Sequence, residues 1–254
     1  MVAAVSNYHV LYEGPSEIDG SPIVAIANGF RRPSGNKKLG ENLIQTWILC
    51  ADLHPLDAIV TEADYAICGA CSLRGIATPK RVKNRICYVA PGLAPYNIWR
   101  QWRRERPASL SMRKIRTVFT NRGVRLGSYG DPVAVPLRIW RAVTSKAVCW
   151  TGYTHQWRNC DAGYQRWCMA SCETEQDRNE AHALGWRTYR TTAQNSIEAR
   201  QVGEIVCPKS KEGGGKTTCD RCRLCSGIDG HGQKDVVITL HGFTFQQKAK
   251  VPHG

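Results

Sequence analysis

The chain has 254 residues, enough to bury a large apolar core, and its composition of 42% hydrophobic and 22% charged residues is that of a globular protein. It contains no apolar run of the roughly 18 residues that a membrane span requires, which argues against a helical membrane protein. The formal net charge of +14 suits a polyanionic partner such as nucleic acid, although solubility alone would also explain it.

Twelve cysteines are the main compositional signal. The first ten residues contain no cationic segment followed by an apolar one, so the sequence predicts no export and a cytoplasmic location. In a reducing compartment, spaced cysteines are metal ligands more often than disulfide partners. Metal binding is therefore the first hypothesis for each cysteine group.

Residues 1–39 form an N-terminal segment with two short predicted strands, at residues 10–12 and 22–27. A polar loop at residues 30–38 ends this segment, because it is too rich in breakers for regular structure. The β-branched and aromatic run at residues 44–50 then predicts a buried strand.

Predicted strands and helices alternate over the rest of the chain, which is the pattern of βα units with a parallel sheet. The strands lie at residues 86–90, 117–126, 147–153, 167–171, 186–189 and 204–206, and the helices at residues 96–105, 133–143 and 176–184. Thr174 can cap the last helix and Gly185 can end it. Residues 209–216, which include three consecutive glycines, predict a loop, and residues 236–240 begin a predicted final pair of strands. The fold class expected from this pattern is α/β.

The C-terminal cysteines have the spacing of a metal centre. Cys219, Cys222 and Cys225 stand at two-residue gaps, so one tight loop can direct all three thiols at one point. Cys207, followed by proline, supplies a fourth thiol across the glycine loop, as in cluster ferredoxins. We expect an iron–sulfur cluster here. Structural zinc suits four thiolates as well, and an unmetallated loop is the third alternative.

A second group consists of Cys68, Cys71 and Cys87. Three thiolates leave one position of a metal centre open, and an open position is typical of a reactive centre. Alternatively, Cys50 completes a closed structural site with these three. The remaining cysteines lie in or beside predicted strands and are expected to be small buried apolar residues. They are Cys149, Cys160, Cys168 and Cys172.

Two polar residues follow predicted strands directly, at the place where α/β barrels gather their active-site groups. His155 is a candidate base or ligand, and Glu173 is a candidate for the same reason. A hydrogen-bonded surface position is the alternative for both.

The predicted helix at residues 96–105 interleaves tryptophan with arginine. Guanidinium groups suit phosphates, and the indoles of Trp99 and Trp102 offer a face to an unpaired base. The candidate nucleic-acid-binding residues are Arg100, Arg103, Arg104 and Arg106. In the alternative, the two indoles anchor a solvated cationic helix to the core. We expect these arginines near the first cysteine group, because the helix follows Cys87 closely.

Three features together point to a family: the opening Ser-Gly-Asn-Lys-Lys-Leu-Gly at residues 34–40, the passage from Cys68 to the Cys-Tyr-Val at residues 87–89, and the terminal cluster at residues 207–225. With them the chain resembles the phage-encoded gene-product-88 family and, more remotely, phage proteins with a radical-SAM-like core and a Cys-Tyr-Ala signature. The resemblance covers about residues 30–226. It implies a partial (β/α) barrel that carries an iron–sulfur cluster. One difference from radical SAM proteins is that their three cluster cysteines share a single C-x3-C-x2-C loop, whereas Cys87 stands well apart from Cys71.

The segment Gly-Ser-Tyr-Gly-Asp-Pro at residues 127–132 is similar to the Gly-Gly-Glu-Pro segment with which radical SAM enzymes hold the methionyl amino group. Gly127, Gly130 and Asp131 are therefore candidate cofactor-binding residues, since glycines let a ligand approach the backbone and a carboxylate can pair with an ammonium. An ordinary βα turn with Asp131 as an N-cap is the alternative.

The sequence therefore predicts an α/β protein with a partial (β/α) barrel over residues 40–206 and a cysteine-rich metal-binding extension with terminal strands over residues 207–254. Its expected cofactors are one or two 4Fe-4S clusters and S-adenosylmethionine. The expected function is that of a phage-type iron–sulfur protein that modifies nucleic acid or a nucleobase in the host cytoplasm. The alternative is a non-enzymatic zinc or iron–sulfur protein that binds nucleic acid.

Overall fold

Nine of the strands in the described part of the chain form one sheet. The computed structural model describes residues 6–31, 36–78 and 81–240. In chain order the strands are β1 (Tyr8–Pro15), β2 (Pro22–Asn28), β3 (Leu43–Cys50), β4 (Ile76–Thr78), β5 (Arg81–Lys83), β6 (Gly123–Tyr129), β7 (Cys149–Thr154), β8 (Met169–Cys172), β9 (Thr188–Thr192), β10 (Glu204–Val206) and β11 (Asp235–Thr239). The order across the sheet is β1-β2-β3-β6-β7-β8-β9-β11-β10, and β4 pairs with β5 in a separate hairpin.

Strand direction divides the sheet into two parts. The strands β1, β2 and β3 are antiparallel neighbours. From β3 to the other edge at β10, each neighbouring pair is parallel. Parallel neighbours need crossover connections, and helices supply most of them here. The prediction of an α/β fold with a largely parallel sheet is confirmed. No pairing between the edge strands β1 and β10 closes the sheet into a barrel within the described residues.

The helices are short and lie between the strands. They are α1 (Pro55–Val60), α2 (Tyr65–Cys68), α3 (Ala94–Glu105), α4 (Met112–Val118), α5 (Leu137–Thr144), α6 (Glu175–Ala183) and α7 (Cys219–Cys222). As the sequence predicts, Thr174 caps α6, and its side chain and that of Asp177 form a reciprocal capping box. Among the described residues, no helix combines the length and the apolar character that crossing a membrane would demand.

The three predicted segments share the sheet. Residues 1–39 supply β1 and β2, and the C-terminal extension supplies β11, which lies between β9 and β10. The core is continuous across these strands: residues 23–27 of β2 and Ile44 and Ile48 of β3 are fully buried. Such unbroken apolar runs are typical of strands that are covered on both faces.

Two strand predictions are wrong in part or in whole. Residues 86–90 form no strand, because the backbone N–H groups of Ile86 and Cys87 both donate to the carbonyl of Leu73, at 3.2 and 3.0 Å. The segment therefore folds onto the loop after α2. The predicted strand at residues 117–126 begins in a helix instead, since the Ser111 side chain caps α4 and Ile115 buries its apolar face.

Candidate active site and cysteine centres

The loops after the parallel strands enclose a cavity at the carboxyl edge of the sheet. Its empty volume, including the open mouth, is about 970 Å³. Of the candidate residues from the sequence, those that line it are Cys68, Cys71, Cys87, Gly127, Gly130, Asp131 and His155. The first cysteine group and the glycine loop therefore meet in one cavity, as a shared ligand would require.

The three thiols of the first group interact through their charges. Burial is the largest cause that raises the pKa of Cys68 well above its usual value, and the thiolates of Cys71 and Cys87 raise it further. Burial also raises the pKa of Cys87, against the opposing charge of Arg85. Cys68 and Cys87 therefore resist ionising unless a cationic centre compensates them, which is the role that a bound metal centre fills.

Gln156 holds the loop that carries this group. Its side-chain oxygen accepts from the Ala70 backbone N–H at 3.2 Å, and its side-chain nitrogen donates to the Cys68 carbonyl at 2.9 Å. Gly69 has φ +53°, and a Cβ there would overlap the Gln156 amide. Sequence reasoning missed Gln156, because nothing in its local pattern distinguishes it from a surface glutamine.

His155 contacts both Cys71 and Glu173. Its Nε2 lies 3.7 Å from the Cys71 sulfur and 3.0 Å from Glu173 Oε1. Burial opposes the charged imidazolium, but the Cys71 thiolate and the Glu173 carboxylate outweigh it, so the pKa of His155 is well above its usual value. The two candidate catalytic residues thus form one contact group with a cysteine at the cavity wall.

Asp131 serves mainly as a backbone cap. Its Oδ1 accepts from Val133 N at 3.0 Å and its Oδ2 from His155 N at 2.8 Å. The residue is only 6% exposed, and burial raises its pKa although these hydrogen bonds oppose the shift. The N-cap interpretation therefore describes the local structure, and an ammonium group would have to use the remaining lone pairs.

Three hydroxyls that line the same cavity have no hydrogen-bond partner within the described residues. They belong to Ser128, Tyr129 and Thr191. A buried hydroxyl without a partner costs about 1 to 3 kcal/mol, so such groups are usually satisfied by water or a ligand. No local sequence pattern identifies these hydroxyls, since their lack of partners arises only from the packing around the cavity.

The C-terminal cysteines form a second group. Cys207 follows β10 and its N–H donates to Val237 O at 2.9 Å, while the carbonyl of Cys225 accepts from Gly152 N of β7 at 3.0 Å. Burial raises the pKa of Cys225, and the charges of Cys207, Cys219 and Cys222 each raise it further. All four predicted ligands therefore lie within electrostatic range of one another.

Neither group is a preformed site for a single ion. Within residues 6–31, 36–78 and 81–240, no three or more histidine, cysteine, aspartate or glutamate side chains form a group that could hold a metal ion. One tetrahedral ion needs ligand atoms about 3.8 Å apart, given metal–sulfur bonds of about 2.3 Å.

Comparisons of the chain with protein-family models, with curated proteins and with solved structures found no match.

Cys50 lies outside the cavity lining. Its thiol donates to Ala63 O at 3.3 Å, and burial raises its pKa to about 12. Cys149, Cys168 and Cys172 are buried as expected, whereas Cys160 is partly exposed.

The arginine-rich helix α3 leads away from the cavity. It begins near the end of β3, where Trp99 Nε1 donates to Cys50 O at 3.0 Å, and it ends beside the edge strand β1, where Tyr8 donates to Glu105 at 2.6 Å. None of its four candidate arginines lines the cavity, and their expected position beside the first cysteine group stays a prediction. Trp102 is fully buried and Trp99 partly so, hence Trp102 is a core anchor with no free face for a base.

The candidate arginines differ in their partners. Arg104 pairs with Glu105 and Arg106 with Glu13, both at 3.0 Å. Arg103 lies over the Trp99 ring at 5.5 Å, and Arg100 over the Tyr96 ring at 5.7 Å. Such cation–π contacts leave the guanidinium edge free for a phosphate.

Proposed function

We propose that the chain is an iron–sulfur enzyme with a radical-SAM-like core. Cys68, Cys71 and Cys87 would hold a four-iron cluster with one open coordination position. The observation that carries this proposal is the single cavity that these cysteines share with the glycine loop at residues 127–130 and with His155. The chain-order arrangement of β3, β6, β7, β8 and β9 supports a partial (β/α) barrel around it.

When bound, the cluster and S-adenosylmethionine would supply one-electron radical chemistry. The chain's own residues position them. Gln156 fixes the cysteine loop, and the backbone at Gly127 and Gly130 lets a ligand approach closely. Ser128 and Thr191 offer hydroxyls for its polar groups, and His155 with Glu173 can hold or accept a proton at the cavity wall.

We propose nucleic acid or a nucleobase as the substrate. The net charge of +14 favours a polyanion. Tyr88, Tyr153 and Tyr189 line the cavity and can pack against a planar ring, and a base would have to leave its stack to reach them. Arg100 and Arg103 are the α3 arginines best placed for phosphate contacts, since neither has a carboxylate partner in the described residues. The phage-type origin and the cytoplasmic location stay predictions.

The C-terminal group would hold a second, closed cluster. Four thiolates leave no position for substrate, so this centre would be auxiliary. Structural zinc is the alternative for this group, and with zinc at both groups the chain would be a non-enzymatic nucleic-acid-binding protein.

A second candidate function is thiol catalysis at Cys71. The contact from its sulfur to His155, and from His155 to Glu173, favours it. This function requires the thiol to be free of metal. Rapid alkylation of Cys71 in the metal-loaded protein would support it and would contradict the cluster proposal.

Anaerobic purification followed by iron and sulfide analysis tests the favoured function. We expect about eight irons per chain, from two four-iron clusters. Substituting Cys68 and Cys71 by Ala should remove about half of the iron, and substituting Cys219 and Cys222 the other half. Cys160→Ala is the matched control and should leave the iron content unchanged, because Cys160 belongs to neither cysteine group. A chain that takes up zinc and no iron would contradict the proposal.

A further inference from the structure

An arginine side chain lies on the face of the sheet that the cavity covers. Arg125 of β6 pairs with Thr151 of β7. Paired residues on neighbouring strands share a face, and so do residues two apart on one strand, so Arg125 lies on the same face as Tyr153. Tyr153 lines the cavity and packs on Tyr189, with ring centroids 4.4 Å apart. The guanidinium and the aromatic rings of the cavity therefore share one face of the sheet.

The guanidinium of Arg125 contacts a phenol and pairs with no described carboxylate. Its Nη2 donates to the Tyr88 hydroxyl at 2.7 Å, and Tyr88 lines the cavity. Its Nε is buried and has no hydrogen-bond partner in the described residues. No ion pair within residues 6–31, 36–78 and 81–240 includes Arg125. A buried N–H without an acceptor is costly, so a ligand that supplies one stabilises the site.

The cavity itself has no carboxylate available for Arg125. Within the described residues, Asp131 is the carboxylate that lines it, and both of its oxygens already accept backbone N–H groups. The other arginines of the lining, Arg74 and Arg85, face Asp64 instead, with N–O distances of 2.6 and 3.8 Å. An arginine keeps its positive charge in proteins, and Arg125 is partly exposed. This face of the sheet therefore attracts an anionic ligand.

We propose that Arg125 binds the phosphate group of a nucleotide whose base packs against the tyrosines of the cavity. A guanidinium can donate two parallel hydrogen bonds to a phosphate, and the rings of Tyr153 and Tyr189 offer an apolar surface to a base. Arg125 is then a specificity-determining residue, since a nucleoside without phosphate leaves its Nε unpaired. The inference rests on the proposed nucleobase substrate and requires no metal at either cysteine group.

A purely internal role for Arg125 makes a different prediction. Burial opposes its positive charge, whereas the charges of Tyr88 and, to a lesser extent, of Tyr153 and Cys219 raise its pKa. If Arg125 only balanced these groups and held Tyr88, the cavity would bind a nucleoside and its monophosphate equally. The ratio of the two affinities therefore separates ligand recognition from a structural role.

The test is isothermal titration calorimetry of the full chain at low salt, with each ribonucleoside and its monophosphate. We expect at least one monophosphate to bind about 10-fold or more tightly than its nucleoside, because it gains hydrogen bonds to a charged group. Arg125→Gln should abolish this ratio and leave the affinity for the nucleoside unchanged. Arg141→Gln is the matched control and should keep the ratio, because it removes the same charge from an exposed position on α5.

The outcomes separate this inference from the proposed function. Equal binding of nucleoside and monophosphate by the wild type overturns the inference and leaves the nucleobase substrate standing. An unchanged ratio in Arg125→Gln, or an equal loss of the ratio in Arg141→Gln, has the same consequence. Absence of binding for every nucleoside and nucleotide overturns both proposals.

A crystal structure of the wild-type chain with the monophosphate needs no variant and covers a substitution that fails to fold. A phosphate oxygen should lie within hydrogen-bond distance of the Arg125 guanidinium. A phosphate bound elsewhere, or no bound nucleotide, would also overturn the inference.

Discussion

Glu204 and Arg190 form an ion pair that solvent hardly reaches. The side chains are 0% and 6% exposed, and two hydrogen bonds of 2.7 Å join them. Glu204 begins β10, three residues before Cys207, so the pair ties the start of the C-terminal cysteine group to β9. Burial alone would raise the pKa of Glu204, but the hydrogen bonds from Arg190 and from the Gln201 backbone lower it below its usual value.

We predict that Glu204→Gln lowers the free energy of unfolding by about 3 to 5 kcal/mol at pH 7, because it leaves the buried Arg190 without its counter-ion. Since the folded-state pKa is lowered, the stabilisation is present above the unfolded value of about 4.3 and is lost as the pH falls through the folded value. The difference between wild type and variant should therefore shrink in acid. Urea unfolding at several pH values measures this.

The control for that substitution is Glu180→Gln. Glu180 pairs with Arg158 at the surface, where both side chains are more than two-fifths exposed, so its loss should cost less than about 1 kcal/mol. Equal effects of the two substitutions at pH 7 would contradict the assignment of the buried pair.

At the scale of elements, the loop that ends β6 depends on glycine. Gly130 has φ +83°, and a Cβ there would lie 2.7 Å from Ile48 Cβ and 2.9 Å from Ile48 O in β3. Gly130→Ala should therefore cost about 2 to 4 kcal/mol, from left-handed backbone strain and overpacking together. Gly20→Ala measures the backbone strain without the overpacking. Gly20 has φ +79°, but a Cβ there would have no other atom within 4 Å. We expect a loss of about 1 kcal/mol there, and thermal unfolding of both variants checks the difference.

Sequence reasoning succeeded for elements with local signals. The helix α6 was predictable because Thr174 and Gly185 mark its ends, and β3 because residues 44–50 are rich in β-branched and aromatic residues. The strand prediction at residues 86–90 failed because the same apolar residues hydrogen-bond to Leu73 and line a cavity. Cysteine spacing predicted two thiol groups, and the thiols within each group affect one another's pKa through their charges. The parts played by Ser128, Tyr129 and Gln156 arise from contacts distant in sequence, so no local pattern could reveal them.

At the scale of the whole molecule, the parallel half of the sheet explains why the candidate residues meet. Residues that follow β3, β6 and β7 come to one edge because parallel strands end on the same side. The antiparallel strands β1 and β2 extend the sheet in the other direction, and α3 runs from the end of β3 to β1. None of the α3 arginines lines the cavity.

The open coordination position of the first cluster is the central claim, and EPR of the reduced, iron-loaded chain with and without S-adenosylmethionine tests it most directly. A ligand that binds the open iron changes the signal of that cluster. We predict a change that is lost when Cys68 and Cys71 are replaced by Ala and kept when Cys219 and Cys222 are replaced. A fully loaded protein whose spectrum is identical with and without S-adenosylmethionine would contradict the account.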